Sequence, residues 1–230
     1  MSRVVLVTGV SRHLGSRMAR ILSHDPAIDR VVGVDVTPAL IAQAAALAAA
    51  RGLSHAQFVA GDVAALRYPP ASFDAVVSVF GLFFLDDMAG ALARAWAWLA
   101  PGGQLATTVW GEVVLAPGEG YFWEAVLQGD PSLEHISPAA RLAPPGALEA
   151  LFASAGVAPP QVVTERWRMP LASPEAFWPV ILGTSNRGVF DGLPPAAQAR
   201  VKHAVIERLR DERVDALTMD ARIAIVRKDA

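Results

Sequence analysis

The stretch VVGVDVTPALIAQAAALAAARGL, residues 31–53, joins a strand pattern directly to a helix pattern. It opens on a nearly unbroken valine run, which is typical of a parallel strand buried on both faces, and this run ends in the acid Asp35. Thr37 stands where a helix N-cap is expected, Pro38 at the first helical position, and Gly52 where the alanine-rich helix would end. The stretch therefore predicts one strand–helix unit of an α/β protein.

The same alternation continues on both sides of this unit. Predicted strands cover residues 3–9, 30–35, 56–62, 73–81 and 102–110, and predicted helices cover about 14–22, 38–51 and 86–99. Within the last of these helices, Leu92, Trp96 and Leu99 have the spacing of a buried face. Strands that alternate with helices predict a parallel sheet with right-handed crossovers and helices on both faces. Such a doubly wound fold binds its ligand at the carboxyl ends of the strands.

The regular alternation stops after residue 110. Residues 111–145 are rich in turn formers and predict loops with short helical pieces. The remaining predicted elements are a helix at about 146–155, a strand near 161–169, helices near 174–183 and 194–210, and a final strand at 221–228.

Composition excludes several classes of function. The chain has 230 residues, 53% of them hydrophobic, and a formal net charge of −2, so neither nucleic acid nor an anionic membrane surface is an expected partner. Cysteine is absent, which rules out disulfides, thiolate catalysis and cysteine-ligated metals, and the five histidines lack metal-ligand spacing. The longest apolar stretch, residues 75–85, is too short to span a bilayer. We expect a cytoplasmic monomer or homodimer.

The first strand leads into a glycine turn, TGVSRHLG at residues 8–15. Gly9 would permit the tight turn and Gly15 would let the next helix pack against the strand, as in a dinucleotide-binding fingerprint. Arg12 stands where the middle glycine of that fingerprint is expected, and Ser11 or Arg12 could pair with a ligand carboxylate. The turn is therefore a candidate ligand contact, and the alternative is a short connection without a ligand.

Two acids follow the second and third strands. Asp35 could accept hydrogen bonds from both hydroxyls of an adenosine ribose, with Val36 beside it, whether the adenosine belongs to NAD or to S-adenosylmethionine. Asp62 could accept a hydrogen bond from the adenine amino group, and Val63 would provide an apolar wall for the ring. The alternatives are a solvated acid or helix cap at Asp35 and a simple Gly–Asp turn at Asp62.

Three ordered segments resemble class I S-adenosylmethionine-dependent methyltransferases, most closely the small-molecule group of the ubiquinone/menaquinone-biosynthesis type. They are residues 31–53, FVAGDVAALRYPPASFDAVVSVFGLFFLDD (58–87) and LAPGGQLATTVWG (99–111), and the likeness extends over about 31–230. The resemblance implies a Rossmann-like, mostly parallel seven-stranded sheet with helices on both faces and an antiparallel C-terminal strand. It also implies one domain, in which residues 1–110 hold the cofactor and 111–230 supply substrate-side segments and the C-terminal strands.

The same resemblance implies S-adenosylmethionine as the cofactor. Asp35 and Asp62 would bind the ribose and the adenine amino group, and the segment Ser78–Gly81, with Phe80 in it, would line the methionine side. The implied activity is methyl transfer to a small acceptor, apolar or aromatic in character. Because the sulfonium already makes the methyl electrophilic, positioning the acceptor with water excluded can supply much of the acceleration.

The N-terminal segment differs from that family. Residues 3–37 resemble the start of an extended short-chain dehydrogenase/epimerase, so the chain resembles a chimera joined at about residues 31–40. An NAD(P)-binding protein, with NAD or NADP as cofactor, is therefore one alternative hypothesis, and a stable hybrid with little activity is another. The Tyr-x-x-x-Lys pair of such dehydrogenases is missing, because neither Tyr68 nor Tyr121 has a lysine four residues later.

Acceptor-side residues are less defined by the sequence. His135 is the candidate base by location, and a surface or structural role is the alternative. Aromatic residues could line an acceptor pocket or pack in the core. They are Phe80, Phe83, Phe84, Tyr121, Phe122, Trp123, Trp167, Phe177 and Trp178.

Overall fold

The computed structural model describes residues 3–8, 24–134 and 137–230. The strands in these ranges are β1 (Val4–Thr8), β2 (Arg30–Asp35), β3 (Ala56–Ala60), β4 (Phe73–Val79), β5 (Leu99–Trp110), β6 (Gln161–Pro170) and β7 (Ala216–Arg227). The α-helices are α1 (Pro38–Ala50), α2 (Met88–Trp98), α3 (Gly118–Gly129), α4 (Ala147–Ser154), α5 (Phe177–Ile181), α6 (Asn186–Gly192) and α7 (Pro195–Asp211). Short 3₁₀ turns lie at Leu82–Phe84, Pro138–Arg141 and Pro174–Ala176. The helix predicted over 14–22 lies outside the described residues.

The strands form one seven-stranded sheet in the order β3-β2-β1-β4-β5-β7-β6. The pairs β1–β2, β1–β4, β2–β3 and β4–β5 are parallel. β7 runs antiparallel to β5, because the amide of Gly102, early in β5, donates to the Lys228 carbonyl just after β7, while the amide of Gly111, just after β5, donates to the carbonyl of Asp220, early in β7. The predicted mostly parallel sheet with an antiparallel C-terminal strand is confirmed.

The chain divides into two compact units, and the first has a valine-rich core. This unit contains the described residues of 1–109 together with 141–163 and 222–230. Leu6 and Val7 of β1 are both 0% exposed. A strand with a neighbour on each side and both faces covered needs apolar residues at every position, and for this reason the valine run of β1 predicted a buried parallel strand.

Helix α2 of the first unit buries a face that differs from the predicted one. Leu92 is buried as predicted; Leu99 is also buried, but it is the first residue of β5 rather than part of the helix. The buried tryptophan is Trp98, at 5% exposed, while Trp96 is only partly buried. Lys228 accounts for the position of Trp96, because its ammonium lies 5.8 Å from the ring centroid and donates to the Trp96 carbonyl at 3.0 Å. A partly exposed ring suits this contact with a cation.

The second unit contains the described residues of 110–140 and 164–221, and aromatic side chains fill its core. α3 forms here, in the segment predicted as loops with short helical pieces, and its Phe122 is 0% exposed. The first residue of this helix, Gly118, has to be a glycine because a Cβ at that position would lie only 2.5 Å from the ring of Phe177. A glycine that indicated a loop in the sequence therefore permits close packing instead.

The segment after β6 also differs from the prediction. Residues 174–183 form a 3₁₀ turn followed by the short α5 rather than one helix, and α6 follows where no helix was predicted. Asn186 begins α6 with its side chain buried, because it accepts from the Trp123 indole at 3.0 Å and donates to Glu119 at 2.8 Å. Across the described ranges, every helix falls short of the length and apolarity that a bilayer crossing requires.

Candidate functional site

The strand register brings the carboxyl ends of three strands together. Thr8, the last residue of β1, pairs with Val34 of β2 on one side and with Ser78 of β4 on the other. In a doubly wound sheet this edge is the ligand-binding edge. The glycine turn that follows β1 belongs to this edge by sequence, but Gly9, Ser11, Arg12 and Gly15 lie outside the described residues.

Asp35 is the last residue of β2 and is half-buried. Its Oδ1 accepts a hydrogen bond from the Thr37 amide at 2.9 Å, which holds the carboxylate in a fixed turn. The Thr37 side chain, at the N-cap of α1, makes no capping hydrogen bond to that helix. Among the described residues, Oδ2 of Asp35 has no hydrogen-bond partner. One carboxylate oxygen is therefore available to a ligand hydroxyl.

Val36 lies directly beside this carboxylate. Its side chain is 70% exposed, unusual for a β-branched residue at the end of a buried strand. Exposed apolar surface next to a hydrogen-bonding carboxylate is the arrangement that an adenosine would need.

Asp62 lies at the neighbouring strand end. The Gly61 amide donates to the Asp35 carbonyl at 2.9 Å, which joins the ends of β3 and β2. Asp62 is exposed, and its Oδ1 accepts from the Ala64 amide at 2.8 Å, while Val63 between them is half-buried. This turn accounts for one oxygen of Asp62, and the adenine contact of Asp62 and Val63 stays a prediction.

The end of β4 carries backbone strain. Ser78 is half-buried, and Phe80 two residues later has φ 51°, in the left-handed region that non-glycine residues rarely adopt. The Phe80 amide donates to the Thr108 carbonyl at 3.0 Å, which fixes this conformation. Such strain costs on the order of 1–3 kcal/mol and is concentrated at functional sites, so it is consistent with the predicted ligand contact at this strand end.

Two threonines at this edge were not among the predicted site residues. Thr8 is 8% exposed, and Thr107 of β5, which pairs with Ser78, is 0% exposed. In the part of the chain that the structure describes, the buried Oγ1 of Thr107 has no hydrogen-bond partner. Hydroxyls in otherwise apolar strands were the sequence signal that could have indicated both residues.

The described tyrosines do not have the properties of a dehydrogenase base. Tyr68 packs edge-on against Phe73 and Trp98, with ring centroids at 4.9 and 5.2 Å, and burial raises its pKa. Burial, together with the hydrogen bond to Glu212, also raises the pKa of Tyr121. A catalytic tyrosine needs the opposite shift.

The candidate base and possible metal ligands complete the set of candidate side chains. His135 lies outside the described residues, and no cluster of metal-ligating side chains occurs in the described part of the chain.

Comparison with protein-family models gives a match in the first half of the chain. Residues 14–107 match the family model of a methyltransferase domain. The match includes Asp35, Asp62 and Ser78, and it begins within the segment that resembled a dehydrogenase.

Individual relatives agree with the domain match. Demethylmenaquinone methyltransferase of Deinococcus radiodurans is 43% identical over 75 residues, which are 33% of this chain and 31% of that protein. The chain thus spans about a third of the length of the curated relatives it matches.

Solved structures resemble the whole chain. The YcgJ protein of Bacillus subtilis has a TM-score of 0.61 at 17% identity and covers 100% of this chain and 93% of its own. A phosphoethanolamine N-methyltransferase of Haemonchus contortus, in complex with S-adenosylhomocysteine, has a TM-score of 0.53 at 16% identity, covering 100% of this chain and 49% of its own. At these identities the likeness establishes the fold.

Proposed function

We propose that this protein transfers a methyl group from S-adenosylmethionine to a small acceptor. The observation that carries the proposal is Oδ2 of Asp35 at the carboxyl end of β2, which has no hydrogen-bond partner among the described residues and lies inside the segment that matches the methyltransferase domain. A carboxylate at this strand end suits the paired hydroxyls of a ribose. S-adenosylmethionine would supply an electrophilic methyl, so the chain has to bind, orient and exclude water rather than activate that methyl.

The residues at this edge fit an adenosine cofactor. The Thr37 amide holds the Asp35 carboxylate in place, and Val36 presents apolar surface next to it. At the end of β4, Ser78 and the strained Phe80 stand where the methionine part of the cofactor would lie by family resemblance. Preorganised contacts of this kind hold a cofactor with little loss of entropy on binding.

The proposed acceptor is small and apolar or aromatic. The name of the Deinococcus relative refers to demethylmenaquinone, a quinone, over a match of 75 residues. In this chain an exposed phenylalanine, Phe84, follows β4 and is 63% exposed. Binding of an apolar acceptor would bury this ring and remove water from it.

Nicotinamide chemistry has less support. The chain lacks a Tyr-x-x-x-Lys pair, and burial raises the pKa values of both its tyrosines, Tyr68 and Tyr121. The dehydrogenase-like start of the chain and a join at residues 31–40 stay predictions from the sequence.

Calorimetric titration separates these hypotheses. The protein is titrated with S-adenosylmethionine, S-adenosylhomocysteine, NAD and NADP under identical conditions. We expect both sulfur compounds to bind and both nicotinamides to give only heats of dilution. Binding of NAD without binding of either sulfur compound would contradict the proposed cofactor. Absence of binding for all four compounds would favour an inactive hybrid.

A further inference from the structure

The loop after β4 presents an aromatic ring at the ligand-binding edge. It continues from Phe80 through the 3₁₀ turn Leu82–Phe84. Leu82 and Phe83 are 2% and 3% exposed, whereas Phe84 is 63% exposed, although the two phenylalanine rings lie only 4.8 Å apart. Phe83 anchors the loop in the core, and Phe84 is left available for contact with a ligand.

Arg141 binds the same loop on both sides of that ring. Its Nη2 donates to the Phe83 carbonyl at 2.7 Å and lies 3.4 Å from the Leu85 carbonyl, and these two residues flank Phe84. Among the described residues, its Nε and Nη1 have no hydrogen-bond partner and no carboxylate forms an ion pair with it. Within the described ranges, a guanidinium without a carboxylate partner therefore contacts the backbone on both sides of an exposed aromatic ring.

The backbone around Arg141 is held firmly. Ala139 and Leu142 on either side of it are 7% and 2% exposed. Arg222, itself 7% exposed, donates to the carbonyls of Leu142 at 3.2 Å and Pro144 at 2.7 Å. A buried guanidinium that satisfies two carbonyls fixes the chain directly after Arg141, so the position of Arg141 is determined by the fold.

We propose that Phe84 and Arg141 together recognise an acceptor that has a flat apolar body and an anionic oxygen. The inference rests on the proposed function and names its substrate class. The Phe84 ring offers a face for offset or edge contact with an aromatic body. The planar guanidinium of Arg141 offers N–H donors to a carboxylate, phenolate or enolate oxygen.

Matched naphthalene probes test this pair. Binding of 2-naphthoate and of neutral 2-naphthalenemethanol is measured by calorimetry, each with and without S-adenosylhomocysteine. We expect the wild-type protein to bind 2-naphthoate about tenfold more tightly than the alcohol, the contribution of one charge-assisted hydrogen bond. Arg141→Ala should remove this preference, and Phe84→Ala should weaken both probes by a similar factor while the preference remains.

Two further variants serve as controls. Arg51→Ala removes an exposed arginine at the end of α1 and should change neither affinity. Arg141→Lys keeps the charge without the planar fork and should retain part of the preference. Thermal unfolding of each variant verifies that the fold is intact.

The outcomes separate the two proposals. Equal wild-type affinities for the two probes, or an Arg141→Ala variant that still prefers 2-naphthoate, would overturn the recognition site. Binding of S-adenosylhomocysteine without a probe preference would overturn only this inference. A probe preference that depends on Arg141, without any binding of S-adenosylhomocysteine, would support the recognition site and contradict the proposed cofactor.

Discussion

Substitution of Asp35 by asparagine removes the charge at the proposed ribose contact with the least disturbance of the turn. The asparagine oxygen can still accept from the Thr37 amide, which lies 2.9 Å from Oδ1 in the wild-type protein. A hydrogen bond to a charged group contributes roughly 1.5–3 kcal/mol. Loss of one such bond through Oδ2 therefore lowers the affinity for S-adenosylhomocysteine by about 10- to 100-fold, at about 1.4 kcal/mol for each factor of ten.

Calorimetric titration with S-adenosylhomocysteine measures this loss, and Asp25→Asn is the matched control. Asp25 accepts from the Ala27 amide at 2.9 Å in the same two-residue turn, but it precedes β2 and lies away from the carboxyl ends of the strands. We expect Asp25→Asn to bind as the wild-type protein does. An unchanged affinity in Asp35→Asn, or an equal loss in both variants, would refute the placement of the ribose.

Three further predictions concern stability and are measured by denaturant unfolding. Thr107→Val removes a buried hydroxyl without a partner among the described residues, so the free energy of unfolding should rise by up to about 1 kcal/mol; a clear loss would mean that the hydroxyl has a partner. Asn186→Ala leaves the half-buried Glu119 without its amide donor and should lower the free energy of unfolding by about 2–4 kcal/mol; a change below about 1 kcal/mol would contradict the role of this buried network. Arg166 lowers the pKa of the buried Asp220 carboxyl. The contribution of this ion pair to the free energy of unfolding is therefore present above the unfolded-state pKa of about 3.9 and is lost as the pH falls through the lower pKa of the folded state. The difference in unfolding free energy between wild type and Asp220→Asn should accordingly shrink below about pH 4, and a difference that stays constant to pH 2 would be inconsistent with this shift.

Local sequence patterns were sufficient to predict the parallel strands β1 to β5. The valine runs of β1 and β2 predict buried parallel strands because every residue in such a strand contacts apolar neighbours. Asp35 could be assigned to the ligand-binding edge because the last residue of a parallel strand always lies at that edge. The start and the length of α3 were missed, since a glycine next to an aromatic ring has the same local pattern as a glycine in a loop.

The sequence by itself determined the alternation of strands and helices, the sheet edge where a ligand is predicted to bind, and the acid that ends β2. Only the tertiary structure decided which of the adjacent Phe83 and Phe84 is buried, because both have the same local context. It also decided that Arg141 contacts the loop after β4, 58 residues away in the chain, and that Thr8 and Ser78 pair across neighbouring strands. Such pairings depend on how distant segments meet in the folded sheet, and the periodicity of a single segment does not contain that information.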